Sequence, residues 1–139
     1  MIELAKVAAA AGGVYDSHLR DEDSYTIGLL GAIREAIRIA REAGIAVNIS
    51  HIKALGPEVW GQSTQAIQLI RQARSEGLRL TADQYPYTAS GSSVTASLVP
   101  RWAEAGGTAA LFARIGDASV RPRLVQEMEQ NLKRRGGPE

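Results

Sequence analysis

Only two histidines occur in this 139-residue sequence, His18 and His51, and each follows a short apolar run that ends in a polar cluster. Neutral imidazole is the commonest protein ligand for zinc, and a catalytic zinc usually takes three protein ligands and keeps one position open. Two imidazoles on neighbouring strand ends could converge on one ion, but they cannot complete a site by themselves. On spacing alone, such a pair is more often structural or at the surface than catalytic. Lys53 stands two residues after His51, so in an extended segment both side chains face the same side. Its ammonium could bind a substrate carboxylate as a point charge, or simply be solvated. Tyr85 and Tyr87 bracket Pro86 with the same period, and their hydroxyls could donate to a carboxylate or an oxyanion. Ordinary aromatic packing explains them as readily. Asp16 and Asp83 are the nearby carboxylates. Gly56 and Gly91 suit mobile loops. Ser92-Ser93 has no His–Asp context, which argues against a serine-hydrolase triad. No phosphate loop, dinucleotide fingerprint or zinc-finger spacing is present.

What must position these residues is a repeat of about 32 residues, seen three times as a helix ending in Gly, a short apolar strand and a polar cluster. The copies end in Gly13, Val14-Tyr15 and Asp16-Ser17-His18; in Gly44, Ile45 to Ile49 and Ser50-His51-Ile52-Lys53; and in Gly77, Leu78 to Ala82 and Asp83-Gln84-Tyr85-Pro86-Tyr87. Gly13, Gly44 and Gly77 fall where helices commonly close in a left-handed residue. The intervening helices are amphipathic, with Leu29, Leu30, Ile33, Ile37 and Ala40 on one face, and Ala66, Leu69, Ile70 and Ala73 on the next. Ile45 to Ile49 is nearly all apolar, as expected of a parallel strand covered on both faces. Alternation at this spacing predicts βα units and a parallel sheet, with His18, His51, Lys53, Asp83 and Tyr85 all at carboxyl ends of strands, the edge where such folds bind ligands. Thr88 to Ser97 is small and hydroxyl-rich and reads as a loop. Two helices follow, from Arg101 to Ile115 with an interruption at Gly106-Gly107, and from near Ser119 with Pro122 in the first turn and Val120, Leu124, Met128 and Leu132 inward.

The bulk numbers narrow the classes. With 45% apolar residues the chain can bury a core, and 16 basic against 15 acidic residues give a net charge of +1, so nothing points to nucleic acid. The run Lys133-Arg134-Arg135 reads as a solvated helix end. No cysteine is available for a disulfide or a thiolate metal site. Neither a signal peptide nor a membrane span is visible, and a cytoplasmic protein is expected.

The segments Tyr15-Asp16-Ser17-His18-Leu19-Arg20-Asp21-Glu22, Ile49-Ser50-His51-Ile52-Lys53, Trp60-Gly61 and Asp83-Gln84-Tyr85-Pro86-Tyr87-Thr88-Ala89, taken together, resemble the central part of the N-acyl-D-amino-acid deacylases, or D-aminoacylases, of the amidohydrolase superfamily. The resemblance runs from residue 1 to at least residue 107. It implies a (β/α)8 TIM-type barrel with zinc at the carboxyl ends of its strands, of which this chain carries three βα units resembling strands five to seven, plus C-terminal helices. His18 and His51 would be metal ligands. Lys53 with Tyr85, or alternatively Tyr87, would bind the substrate's α-carboxylate. The implied reaction is hydrolysis of an N-acyl amide to a carboxylate and a D-amino acid, with one or two zinc ions in the complete enzyme.

The family's His-x-His strand, its metal-bridging cysteine and the acid/base aspartate of the eighth strand have no counterpart here, and such a barrel needs about 250 residues. We therefore expect a single incomplete barrel domain, with the repeats in 1–100 and a helical segment in 101–139. No catalytic residue is expected within it, and the isolated chain is expected to be inactive; zinc is expected in the complete enzyme, with binding by this chain alone left open. The expected partner is a small N-acyl amino acid, with no nucleic acid and no membrane. Open strand edges, and apolar alternate residues of Ile45 to Ile49 and Leu78 to Ala82 facing a missing barrel interior, predict a homo-oligomer. Two rivals stand beside this reading: a non-catalytic, self-associating α/β module, and a dihydroorotase-like hydrolase of cyclic amides.

Overall fold

Three short parallel strands organise the first part of the chain. The computed structural model describes residues 1–137, and these form two compact units, one spanning Met1–Tyr87 and one starting at Thr88. The first unit runs α1 (Ile2–Ala10), β1 (Val14–Ser17), α2 (Gly28–Ala43), β2 (Ala46–Ile49), a 3-10 turn (Pro57–Val59), α3 (Ser63–Ser75) and β3 (Leu80–Ala82). The sheet order is β1-β2-β3, all parallel, with Ser17 opposite Ile49 and Ile49 opposite Ala82. The expected repeat of helix and strand is therefore present three times.

Helix α2 is the central packing element. Leu29, Ala32, Ile33, Ala36, Ile37 and Ala40 recur at three- and four-residue intervals and are all buried, whereas Arg34, Arg38, Arg41 and Glu42 are exposed. Gly44 closes the helix at φ 65°. Across from that face lie Val47 and Ile49 of β2 and Leu80 of β3, joined by Ala66 and Ala73 of α3. Helices thus cover one side of the sheet.

Three details differ from expectation. At the end of α1 the left-handed residue is Gly12, at φ 74°, not Gly13. Gly13 is required for another reason: a Cβ there would come within 2.9 Å of the Ala8 carbonyl oxygen, which already accepts the Gly13 N–H. Second, β2 is not apolar on both faces. Val47 and Ile49 point to the helices, while the uncovered face carries a row of polar side chains, Asp16, Asn48 and Thr81, in register across the three strands. Asn48 Nδ2 donates to Asp16 Oδ1 at 2.9 Å, and Thr81 Oγ1 donates to Asn48 Oδ1 at 2.8 Å. The expected apolar inner face is therefore absent, because alternation along β2 puts Asn48 where that face would be.

Third, the stretch Thr88 to Ser97 is not wholly a loop. In the second unit α4 (Val94–Leu98) starts there, with Ser93 Oγ accepting the Ala96 N–H as an N-cap. Helices α5 (Arg101–Glu104) and α6 (Gly107–Gly116) follow, separated at Gly106, and α7 (Arg121–Arg134) has Pro122 in its first turn. Leu124 is buried, while Val120, Met128 and Leu132 are half-buried. Asn131 Nδ2 and Arg135 Nε donate to the carbonyls of Leu98 and Ser97, tying α7 to the end of α4. No helix among the described residues is long and apolar enough to cross a membrane.

The contrast between the faces of α2 and α1 yields a prediction. Ile33 has no exposed surface, whereas Leu4 of α1 is 71% exposed. Ile33→Ala should cost about 2–5 kcal/mol of stability through lost burial and a residual cavity. Leu4→Ala should stay within roughly 0.5 kcal/mol. Urea unfolding of the two variants checks this, and equal midpoints would contradict the packing described.

Candidate metal and carboxylate-binding site

The loops that leave the carboxyl ends of the three strands meet above the sheet. After β1 the chain enters Leu19-Arg20-Asp21-Glu22-Asp23, where Leu19 and the three acidic residues are buried. Asp21 organises this loop. Its Oδ1 accepts the Asp23 N–H at 2.9 Å, and its Oδ2 accepts the N–H groups of Thr26 and Gly28 at 2.6 and 3.0 Å and the Thr26 hydroxyl at 3.1 Å. Burial would raise the carboxyl's pKa, but the backbone N–H groups of Thr26, Asp23 and Gly28 outweigh it and hold the group below its ordinary value.

The β2 loop is bound to the β1 loop at Glu22. Its backbone carbonyl accepts the Leu55 N–H at 2.8 Å, and its Oε1 accepts from Lys53 Nζ at 2.6 Å. Glu22 is almost fully buried, and the Lys53 side chain is only 15% exposed. Lys53 is therefore neither a solvated loop lysine nor a free point charge. The loops also touch at Gly56. A Cβ on Gly56 would lie 2.0 Å from Asp23 Oδ1, so only glycine allows the approach. Gly56 is buried in a packed loop contact, not placed for mobility.

The two histidines meet at the rim. His18 Nδ1 lies 3.0 Å from His51 Nε2, with ring centroids 4.7 Å apart in an edge-on arrangement. Two nitrogens bound to one tetrahedral zinc at 2.0–2.1 Å are roughly 3.3 Å apart, so the observed pair is close to adjacent vertices of such a site. His51 Nδ1, on the other side of its ring, is 2.8 Å from Lys53 Nζ and 3.3 Å from Glu22 Oε1. His18, Glu22 and His51 form a group whose potential ligand atoms all lie within 4.8 Å of one another. Imidazole and carboxylate donors fit zinc. Of the three, Glu22 is already engaged by an ammonium, which leaves the two imidazoles as the pair open to a cation.

His51 and Lys53 do not reach this arrangement through an extended segment. His51 has φ 40°, the one left-handed residue other than glycine among those described, and sits in a turn. Asp83 holds that turn: its Oδ1 accepts the His51 N–H at 2.6 Å and its Oδ2 accepts from Asn48 Nδ2 at 2.7 Å. Backbone strain of this kind persists where surrounding contacts over-determine it, and it clusters at functional sites. Hydrogen bonds from Asn48 and the His51 backbone keep the Asp83 carboxyl below its usual range. Asp16 is lowered likewise, by the Ser50 hydroxyl first and Asn48 second.

The tyrosines part company. Tyr85 is half-buried, and its ring centroid is 5.7 Å from the Lys53 ammonium. Tyr87 is 74% exposed, 6.2 Å from Tyr85 between ring centroids. Sequence reasoning missed Glu22, Asp21 and Asp83 as organisers. The available signal for the first two was the run Asp21-Glu22-Asp23, three consecutive acidic residues beginning three positions after His18, a charge density that a solvated loop does not need.

A parallel βα sheet that gathers imidazoles, an ammonium and carboxylates at its strand ends is suited to binding a metal ion and an anion there. No protein-family model matches the chain. Individual relatives do. The chain is 37% identical over 87 residues to an N-acyl-D-glutamate deacylase of Alcaligenes xylosoxydans xylosoxydans, covering 63% of this chain and 17% of that protein. It is 36% identical over 89 residues to a D-aminoacylase of the same organism, covering 64% and 18%. The crystal structure of N-acyl-D-glutamate deacylase from Bordetella bronchiseptica, complexed with zinc and a phosphonate inhibitor, superposes with a TM-score of 0.62 at 25% identity, covering 95% of this chain and 33% of that one. The chain thus spans about a sixth of the curated relatives it matches. Over that span it is similar to D-aminoacylases, and its three parallel βα units are consistent with a partial TIM-type barrel.

Acid should loosen this loop cluster. The folded-state pKa of Asp21, Asp16 and Asp83 is depressed, so their contribution is present above the unfolded carboxylate value of about 4 and is lost as pH falls through the lower folded values. Urea midpoints of the first unit should therefore drop between pH 5 and pH 3, bounds set by that reference value. Asp21→Asn should unfold more easily at neutral pH and show a smaller drop. An equal drop in the variant would exclude Asp21 as a contributor.

Proposed function

We propose that this chain is a segment of a zinc-dependent amidohydrolase that hydrolyses N-acyl-D-amino acids to a carboxylate and a D-amino acid, and that it supplies part of the metal site and of the substrate-carboxylate site. The observation that carries the reading is the convergence of His18 Nδ1 and His51 Nε2 at 3.0 Å beside the Lys53 ammonium. The chain is over a third identical, across 87 and 89 of its residues, to two deacylases of acylated D-amino acids, which supports the reading. A bound zinc would activate a water molecule and polarise the scissile carbonyl. His18 and His51 would hold it from the first and second strand ends.

Lys53 would face the substrate α-carboxylate with its ammonium already fixed in direction by Glu22, which lowers the entropy lost on binding. Tyr85, beside that ammonium and with a buried hydroxyl lacking a partner, is the better placed tyrosine. Tyr87 stands farther out and would serve at the rim. No residue described here takes the acid/base role, which the proposal assigns to parts of the barrel other than this segment. The number of zinc ions in the complete site, one or two, is left to that larger assembly. The proposal keeps a small N-acyl amino acid as partner and a cytoplasmic location, with no nucleic acid and no membrane.

The test is a chimera in which residues 1–87 replace the matching segment of a D-aminoacylase. The chimera should turn over N-acetyl-D-amino acids. His18→Ala or His51→Ala should cost bound zinc and rate together, and Lys53→Ala should raise KM more than it lowers kcat. An unchanged KM for Lys53→Ala across substrates, or full zinc content without both histidines, would sink the reading. The 139-residue chain alone should give no turnover with zinc added.

Self-association belongs to the same proposal. The outer edges of β1 and β3 have no partner strand among the described residues, and such edges pair readily. Because the uncovered face is polar, the drive lies in backbone pairing at the edges and not in apolar burial. Light scattering should find a dimer or larger species. A monomer at all concentrations would refute it.

A further inference from the structure

Two free strand edges flank the sheet, and the helix beside each edge presents a different surface. β1 and β3 each pair with β2 alone among the described residues, and all three strands run the same way. On the β1 side stands α1, of whose nine residues only Glu3 and Lys6 are polar. Ala5 is buried in the core, with Ile2, Ala8 and Ala9 packed partly against it. Leu4, Val7 and the C-cap residue Ala11 recur at three- and four-residue intervals on a second face, and all three are exposed. A helix that is apolar on both faces is normally covered on both. On the β3 side, Ile67, Ile70, Arg71 and Arg74 of α3 share a face at helical spacing. Together with Ala82 of β3 they line a groove of about 440 Å³.

The repeat itself indicates what fits this groove. Neighbouring helices pack side by side, α1 on α2 and α2 on α3. A strand added in parallel to the free edge of β3 would carry its preceding helix into the next position, against the exposed face of α3. β1, led by α1, is such a strand. We propose that copies of this chain associate head to tail, the β1 edge of one copy on the β3 edge of the next, with the Leu4–Val7–Ala11 ridge seated in the Ile67–Ile70 groove. The inference rests on the self-association described above and gives its geometry: the edges supply backbone pairing, and the helix layer decides which edge meets which. Charge favours the same match. Glu3, bonded to Lys6 at 2.9 Å, borders the ridge, while Arg71 and Arg74 border the groove. A two-fold arrangement would set the arginines of one groove against their own copies, or set ridge on ridge and leave the groove empty. It would also pair identical edges antiparallel, whereas a head-to-tail contact continues the parallel ladder.

Sedimentation velocity of the 139-residue chain tests this with Val7→Arg on the ridge, Ile67→Arg in the groove, and an equal mixture of the two. Val7 is 72% exposed and Ile67 49%, so circular dichroism should find both variants folded. If either is not, Leu4→Arg or Arg74→Glu takes its place. The parent should associate as its concentration rises, and each variant alone should sediment as a monomer. The mixture should form a one-to-one dimer and go no further. In it the intact groove of one variant meets the intact ridge of the other, and no second such pair remains. A parent that is monomeric at every concentration defeats self-association itself. A parent that associates while the single variants do so too, or while the mixture stays monomeric, overturns the head-to-tail contact and leaves self-association standing.

Discussion

Parallel pairing of the three strands is the constraint from which the site follows. Ser17, Ile49 and Ala82 lie opposite one another, so the next residues of each chain segment leave the sheet in one row. The ladder continues past the strands: Ser50 N–H donates to the Ser17 carbonyl, Asp83 N–H to the Ile49 carbonyl and Ile52 N–H to the Asp83 carbonyl. Residues far apart in sequence are thereby held within a few ångströms. An antiparallel arrangement would send alternate loops to opposite ends and separate His18 from His51.

Above that row, the loops are held by carboxylates. Asp21 closes the first loop on itself, Glu22 joins the first loop to the second, and Asp83 joins the third strand end to the second. Each acts at short range on backbone N–H groups or on a shielded ammonium, where a charged acceptor is worth more than a neutral one. Removing one partner of such a buried pair would leave the other uncompensated. The cluster therefore behaves as a unit, and the left-handed turn at His51 is tolerated because Asp83 grips its N–H. The second unit contributes helices stitched by capping and by bonds from α7 to the end of α4.

Much of this is legible in the residue order. The 3.6-residue spacing of Leu29, Ile33, Ile37 and Ala40 marked the buried face of α2, because a helix can cover a sheet only along one stripe. The repeat of apolar run and polar cluster marked strand ends, and with them His18, His51 and Lys53. Less legible was anything that depends on a turn. Two-residue periodicity placed His51 and Lys53 on one side of an extended chain, and they converge instead through a left-handed bend. Gly56 read as a loosening residue, yet it serves close approach to Asp23. The polar inner face was spelled out at Asn48, but an apolar neighbourhood hid it.

The sequence by itself determined which segments become helices and strands, which helix faces are buried, and which polar residues stand at the strand ends, because these follow from periodicity along a single chain. Only the tertiary structure decided that Glu22 is shared by Lys53 and His51, that the two imidazoles face each other, and that Tyr85 and not Tyr87 lies beside the ammonium. Those facts depend on how three loops of irregular backbone pack against one another. Local residue order carries no period from which such contacts can be read, and they arise when parallel pairing brings the loops to one edge.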